Sequence, residues 1–380
     1  MRSLLGVNLP YFGGAYGHDL APSARWPDWP VETDAMKSYR PLLEARALGL
    51  EAVRIWLCEG SEGLLLDPQQ RVRGVHPRLL ESIKILEEGA QVAGVKIYWS
   101  LLDANSASRD GDPITRAILS DADHAAAFAE HAVAPIARAL DPRVAIGLEI
   151  VNEPEVVSPG CADVRDAAVP SIEWAALGRS IAIARRAALA EKGELIVTAG
   201  TGNAFLPELW RSGAGLTAID VHVYHRDGGL PSRDDLARYV DDPAIASEAI
   251  PLIAGECGIP KEPGADPASI CNYLWNAGHD GYAAAFLWKL EGDLIDAKAP
   301  GRPWTPIGHR VRTENDKREK QAPRACPTGT SIGASSGCTA GMTRWTSVAG
   351  SAPASARCAS CSPARGCARS IRPPVWATTP

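Results

Sequence analysis

Apolar and polar residues alternate in blocks along roughly the first 300 residues of the chain. Short apolar runs are bounded by Gly, Pro or polar residues, which is typical of strands buried on both faces of a parallel sheet. Between these runs lie longer segments in which apolar residues recur at helical spacing, as in residues 77–93. The pattern therefore predicts strands that alternate with helices.

Eight such strands are predicted, and each is followed by a segment long enough for a connection. They cover residues 4–8, 52–57, 95–102, the apolar run within 146–155, and then 195–199, 218–224, 251–258 and 283–288. The helical segments are 36–48, 77–93, 121–140, 171–192, a helix from 234 to 239, and 269–277. Eight βα units predict an α/β fold, a (β/α)8 TIM barrel. The alternative is an open doubly wound sheet, but no helix begins at the glycines after the first strand.

The composition changes abruptly after this region. Residues 313–320 are a run of mostly charged residues, and from Gln321 to Pro380 there is no Leu, Phe, Tyr, Asp, Glu or Lys. Such a segment cannot bury enough apolar surface to offset the entropy lost on ordering. We therefore expect a catalytic domain at 1–312 and a disordered, low-complexity tail at 313–380. One hypothesis is that this tail is the out-of-frame translation of a GC-rich gene. No helix is recognisable after the eighth strand.

Two predicted strands end in a glutamate. The run that begins at Ile146 ends in Asn152-Glu153-Pro154, and the seventh strand runs into Glu256. In a parallel barrel the carboxyl ends of all strands lie on one rim, which is where ligands and catalytic groups collect. Two carboxyl groups at that rim are what acid–base and nucleophilic catalysis at a glycosidic bond requires.

Charge and cysteine content narrow the possible partners. The formal net charge of −6 argues against nucleic acid or an anionic membrane as a partner. No apolar run is long enough to span a bilayer, and no secretory signal is recognisable, so a cytoplasmic location is expected, or a secreted one if the start of the sequence is truncated. Four of the nine cysteines precede residue 313 without metal-type spacing, and Cys358 and Cys361 lack a second ligand pair. We expect no metal.

The strand ends together resemble the clan of retaining (β/α)8 glycoside hydrolases that contains the family-5 cellulases and mannanases. The resemblance covers about residues 1–300. It implies that Glu153 is the acid/base and Glu256 the nucleophile. It further implies the substrate-binding or supporting residues Asn152, Arg54, His222, Tyr224 and Trp288, the last as a sugar platform. One departure is that residues 100–105 contain no histidine, although the family places one near the end of the third strand.

The resemblance implies a hydrolase that cleaves β-linked glucan or mannan-type saccharides by double displacement without a cofactor. Two other hypotheses stay open: a catalytically impaired carbohydrate-binding barrel, and a metal-dependent hydrolase that uses, for example, His222 and His225. Trp56 and Trp99 fit either core packing or sugar stacking. The sequence does not indicate the sugar, the mode of cleavage or the oligomeric state.

Overall fold

A computed structural model describes residues 3–10, 19–28, 31, 35–108, 111–161, 170–247 and 249–321. Within these ranges eight parallel strands close into a barrel in the order β1, β2, β5, β6, β7, β8, β9, β10 and back to β1. The barrel strands are β1 (Leu4–Asn8), β2 (Ala52–Trp56), β5 (Lys96–Asp103), β6 (Ala145–Asn152), β7 (Ile196–Gly202), β8 (Ile219–Tyr224), β9 (Leu252–Gly258) and β10 (Ala284–Leu287). The TIM-barrel prediction is confirmed, and the doubly wound alternative is wrong.

Helices surround the barrel. They are α1 (Ala35–Ala47), α2 (Pro77–Ala93), α3 (Ala104–Ser108), α4 (Pro113–Ser120), α5 (Ala122–Phe128), α6 (Ala134–Ala139), α7 (Trp174–Glu191), α8 (Leu206–Arg211), α9 (Arg233–Val240), α10 (Asn272–His279) and α11 (Pro306–Gln321). The helix expected over 121–140 is divided by a π-helical turn, Ala129–Val133, between α5 and α6. A short antiparallel hairpin that the sequence pattern did not indicate, β3 (Leu64–Leu66) with β4 (Val72–Val75), follows β2.

The helix after the last barrel strand is present, which corrects the sequence-based expectation. Helix α11, Pro306–Gln321, crosses residue 312. Val311 and Asn315 are buried, and the Asn315 side chain donates to the carbonyl of Leu48. Lys317 pairs with Glu314 one turn away. The helix has hardly any apolar face, so its sequence gives no helical periodicity.

The sequence predicts a disordered tail at 313–380, and its residues from 322 onward lie outside the described residues. Cys58, Cys161, Cys257 and Cys271 are buried free thiols, as expected for small apolar positions. No described helix combines the length and the apolar character needed to cross a membrane.

Side chains from all sides fill the interior of the barrel. Tyr98 and Phe286 stack there with ring centroids 5.4 Å apart. Gly6 on β1 makes room for this pair, because a Cβ at that position would lie 2.5 Å from the Phe286 ring. The filled interior leaves the carboxyl-end rim as the place where a ligand can approach the strand ends.

Candidate active site

The polar residues at the strand ends meet on one rim because all eight strands are parallel. Strand register sets the neighbours: Asn8 on β1 pairs with Arg54 on β2, and His222 on β8 pairs with Glu256 on β9. Glu153 follows the last residue of β6 directly. The barrel therefore brings Glu153, Glu256, Arg54 and His222 together, as the sequence led us to expect.

Glu153 is held in an unusual backbone conformation. Its φ and ψ are 48° and 56°, in the left-handed region that non-glycine residues rarely adopt. The Glu153 amide donates to the carbonyl of Gly200 on the neighbouring strand, and Pro154 begins a short 3₁₀ turn. Such strain persists only where the surroundings fix it, and it turns the Glu153 side chain toward the rim.

Both carboxylate oxygens of Glu256 accept hydrogen bonds. The Arg54 guanidinium donates to Oε1 at 2.9 Å, and the Tyr224 hydroxyl donates to Oε2 at 2.8 Å. Glu256 is 4% exposed and Arg54 is fully buried, so this ion pair is shielded from water. Two donors and an adjacent cation favour the ionised form that a nucleophilic carboxylate needs.

His222 lies between the two glutamates. Its Nδ1 is 3.3 Å from Oε1 of Glu153 and 3.9 Å from Oε1 of Glu256. One oxygen of Glu153, one of Glu256 and a ring nitrogen of His222 all lie within 4.8 Å of one another. The two carboxyl groups are therefore close enough to act on one sugar ring.

The three groups influence one another's pKa values strongly. Although burial acts to lower it, the carboxylates of Glu256 and Glu153 raise the pKa of His222 to about 10. Burial acts to raise the pKa of Glu153, but hydrogen bonds from His222 and Asn105 bring it to about 2. Burial raises the pKa of Glu256, against the effect of His222 and Arg54. The directions of these shifts favour the proton of the His222–Glu153 pair on the imidazole.

A further buried glutamate, Glu149 on β6, forms an ion pair with Arg54. Its Oε2 accepts from Arg54 Nη2 at 2.6 Å and from Nε at 3.0 Å, and its Oε1 accepts from the Gly200 amide. Only glycine fits at position 200, since a Cβ there would lie 2.4 Å from Glu149 and 2.3 Å from His222. Glu149 therefore fixes the guanidinium that contacts Glu256.

Comparisons by sequence returned no matching family model and no matching curated protein. Comparisons by structure returned many glycoside hydrolases. A β-1,4-mannanase from the sea hare Aplysia kurodai superimposes with a TM-score of 0.63 at 15% identity, over 84% of this chain and 93% of that one. A β-mannanase from the blue mussel Mytilus edulis gives 0.61 at 17%, over 83% and 92%. A GH5_18 variant from Streptomyces cattleya, in complex with Manβ1-4GlcNAc, gives 0.59 at 16%, over 84% and 82%. The chain has the same barrel fold as these proteins.

The remaining predicted residues also lie at the carboxyl-end rim of the barrel. Asn152 accepts from Arg54 Nη2 at 2.6 Å and donates to Asp103 at 3.0 Å. Trp288 follows β10 and is partly exposed, and its ring contacts that of Trp56 edge-on at 6.1 Å between centroids. Trp56 is 5% exposed and packs on Arg54, whereas Trp99 is fully buried. Of these three rings, that of Trp288 is the most accessible to a sugar, and Trp99 is a core residue.

Sequence reasoning missed four polar residues around this site. Asn8 bridges β1 to Arg54, Glu149 pairs with Arg54, and Asp103 and Asn105 reach Asn152 and Glu153. A polar residue inside an apolar strand, as Glu149 is, was a usable signal, because a buried charge requires a partner. Asn105 carries no such signal, since it lies in a connection after β5.

Glu155, two residues beyond Glu153, is buried. It accepts from the Thr201 hydroxyl at 2.7 Å and from the Gly202 amide at 2.6 Å. Burial, with the nearby charge of Glu153, raises the pKa of Glu155 to about 7. These bonds tie the turn after Glu153 to the end of β7.

Proposed function

We propose that this protein is a retaining glycoside hydrolase that acts on β-linked mannan- or glucan-type saccharides. The observation that carries the proposal is the approach of the Glu153 and Glu256 carboxylates within 4.8 Å on one rim. Retaining enzymes hold their two carboxyl groups about 5–5.5 Å apart, whereas inverting enzymes need about 6.5–9.5 Å to admit a water. The spacing supports direct attack by one carboxylate on the sugar.

In the first step an oxygen of Glu256 forms a bond to the anomeric carbon while the bond from that carbon to the leaving oxygen breaks. Glu153 gives its proton to the leaving oxygen. In the second step Glu153 removes a proton from water, and the resulting oxygen displaces Glu256 from the sugar. The proton and the carboxylate are thus restored, and the anomeric configuration is retained.

Glu153 must carry a proton for the first step, although the hydrogen bonds that lower its pKa favour the ionised form. His222 Nδ1 lies 3.3 Å from Oε1 of Glu153, so a proton can pass between these atoms. As Glu256 loses its charge to the new covalent bond, the imidazolium loses the carboxylate that stabilises it, which favours transfer to Glu153. Because the two groups interact, the apparent pKa values of this titration belong to the pair and not to either residue.

The substrate class rests on two supports. Trp288 follows the last barrel strand and presents a partly exposed ring next to Trp56, and such rings stack on the apolar faces of pyranoses. Structures with this fold include β-mannanases and a protein that holds Manβ1-4GlcNAc. A β-mannoside and a β-glucoside are therefore the first substrates to test.

The two other hypotheses predict different results in the same assay. A binding barrel would retain sugars without turnover. That hypothesis was based on the lack of a recognisable last helix in the sequence, and α11 supplies that helix. A metal-dependent hydrolase would lose activity with a chelator. Arg54 and the imidazolium of His222 already contribute positive charge beside Glu256, which disfavours a further cation there.

The deciding experiment is a comparison of leaving groups in Glu153→Ala. We expect kcat/KM for phenyl β-glycosides to fall by about 10²–10⁴-fold, the usual contribution of a general acid. The value for 2,4-dinitrophenyl β-glycosides should fall far less, because that group departs without a proton. Added azide should accelerate turnover of the dinitrophenyl substrates, since it needs no general base.

Glu88→Ala, a change at an exposed residue of α2, serves as the matched control and should leave both substrates unaffected. An equal loss on both leaving groups, without rescue by azide, would refute the role of Glu153. Absence of hydrolysis by the unaltered protein on every glycoside, with sugar binding intact, would instead favour the binding barrel.

A further inference from the structure

Asn105 reaches the acid/base candidate from the end of β5. It lies in α3, immediately after the strand, and is partly buried. Its Nδ2 donates to Oε2 of Glu153 at 2.9 Å and to Oδ1 of Asp103 at 3.0 Å. An amide nitrogen has two hydrogens, so both are used and the plane of the Asn105 amide is fixed.

Asp103 is the anchor for this arrangement. Its Oδ1 also accepts from the backbone amide of Asn105 at 3.0 Å and from Nδ2 of Asn152 at 3.0 Å. Asp103 and Asn152 are register partners across β5 and β6, which explains their contact. The buried carboxylate of Asp103 thus orients two side-chain amides. One belongs to Asn152, which precedes Glu153 in the sequence, and the other to Asn105, which binds Glu153.

The two oxygens of Glu153 therefore have different neighbours. Oε2 receives a hydrogen from Asn105, and an amide N–H only donates, so it cannot accept a proton held on Oε2. Oε1 faces His222 Nδ1, which can either donate or accept. The neighbours of Glu153 therefore allow a proton on Oε1 but not on Oε2.

We propose that Asn105, held by Asp103, is a positioning residue that directs the acid proton to Oε1 of Glu153, and this rests on the proposed function. The residue acts through Glu153 and does not itself exchange a proton. Without the bond to Oε2 the carboxyl group can rotate, and the proton is no longer aimed at the leaving oxygen.

The test is Asn105→Ala assayed with a series of aryl β-mannosides and β-glucosides from phenyl to 2,4-dinitrophenyl. The ratio kcat/KM reports the first step, in which the leaving group departs. We expect a loss of about 10²-fold for phenyl, within the range of general-acid effects, and less than about 3-fold for dinitrophenyl. The plot of log kcat/KM against leaving-group pKa should become steeper.

Asn315→Ala is the matched control, because Asn315 is also an inward-facing asparagine whose Nδ2 donates to the protein, but it lies on α11 and contacts Leu48. It should lower thermal stability without changing the leaving-group slope. A second variant, Asn105→Asp, places a carboxylate beside Glu153 and His222. That charge should raise the proton affinity of the pair and move the alkaline limb of kcat/KM to higher pH.

If Asn105→Ala lowers kcat/KM by the same factor for every leaving group, as a smaller fraction of active protein would, the positioning role is overturned. An unchanged alkaline limb in Asn105→Asp would overturn it as well. If instead the unaltered protein hydrolyses none of the glycosides, the failure lies in the proposed function.

Discussion

Replacing Glu256 with alanine is expected to lower kcat/KM by on the order of 10⁴-fold or more on every glycoside, whatever its leaving group. The variant has no carboxylate to attack the anomeric carbon. Among the described residues, Glu153 provides the carboxyl group that lies within 4.8 Å of both Glu256 and His222. Azide is small enough to enter the space left by the side chain. It should attack the sugar from the Glu256 side and give the α-glycosyl azide.

The product distinguishes the two glutamates. In Glu153→Ala the covalent intermediate still forms, and azide then displaces Glu256 to give the β-glycosyl azide. NMR of the azide products reads the configuration directly. Substantial hydrolysis by Glu256→Ala, or the same azide anomer from both variants, would contradict the assignment of nucleophile and acid/base.

The second large effect is expected on stability. Arg54→Met should lower the free energy of unfolding by about 3–5 kcal/mol, the usual result when one partner of a buried ion pair is removed. Arg54 is fully buried and donates to Glu149, Glu256 and Asn152, so its loss leaves buried carboxylates without a cation. Chemical unfolding in urea at pH 7 measures the change.

The pH dependence of this deficit has a definite sign. Without the cation, protonation removes the negative charge of the unpaired buried carboxylates. Above about pH 4 the carboxyl groups of the unfolded chain ionise, so the folded variant then binds more protons than the unfolded chain. Its stability relative to the unaltered protein should therefore fall as the pH rises from about 5 to 7. Arg143→Ala, which removes an exposed ion pair with Asp141, should change stability by less than about 1 kcal/mol. A deficit for Arg54→Met no larger than that of Arg143→Ala would contradict the account.

The barrel was predictable because each of its strands is buried on both faces and therefore reads as an apolar run. The strand ends were predictable for the same reason, since a polar residue that closes such a run stands out. Glu153 and Glu256 are of this kind, and the rim geometry follows from parallel strands alone.

What the sequence did not reveal depends on contacts between distant segments. Helix α11 is anchored by the buried Val311 and Asn315, and most of its other residues are polar or charged, so its sequence resembles a charged tail. Asn105 acquires its place only when β5 and β6 align Asp103 with Asn152. The pKa of His222 likewise depends on two carboxylates brought from β6 and β9, neither of which is near it in the sequence.

The most direct test of the central claim follows the first product by ¹H NMR. A β-mannoside or β-glucoside is hydrolysed with enough enzyme that the reaction is complete before the sugar mutarotates. The account predicts that the β-anomer appears first and the α-anomer accumulates only later. An α-anomer formed first would show inversion, which two carboxylates this close together do not support.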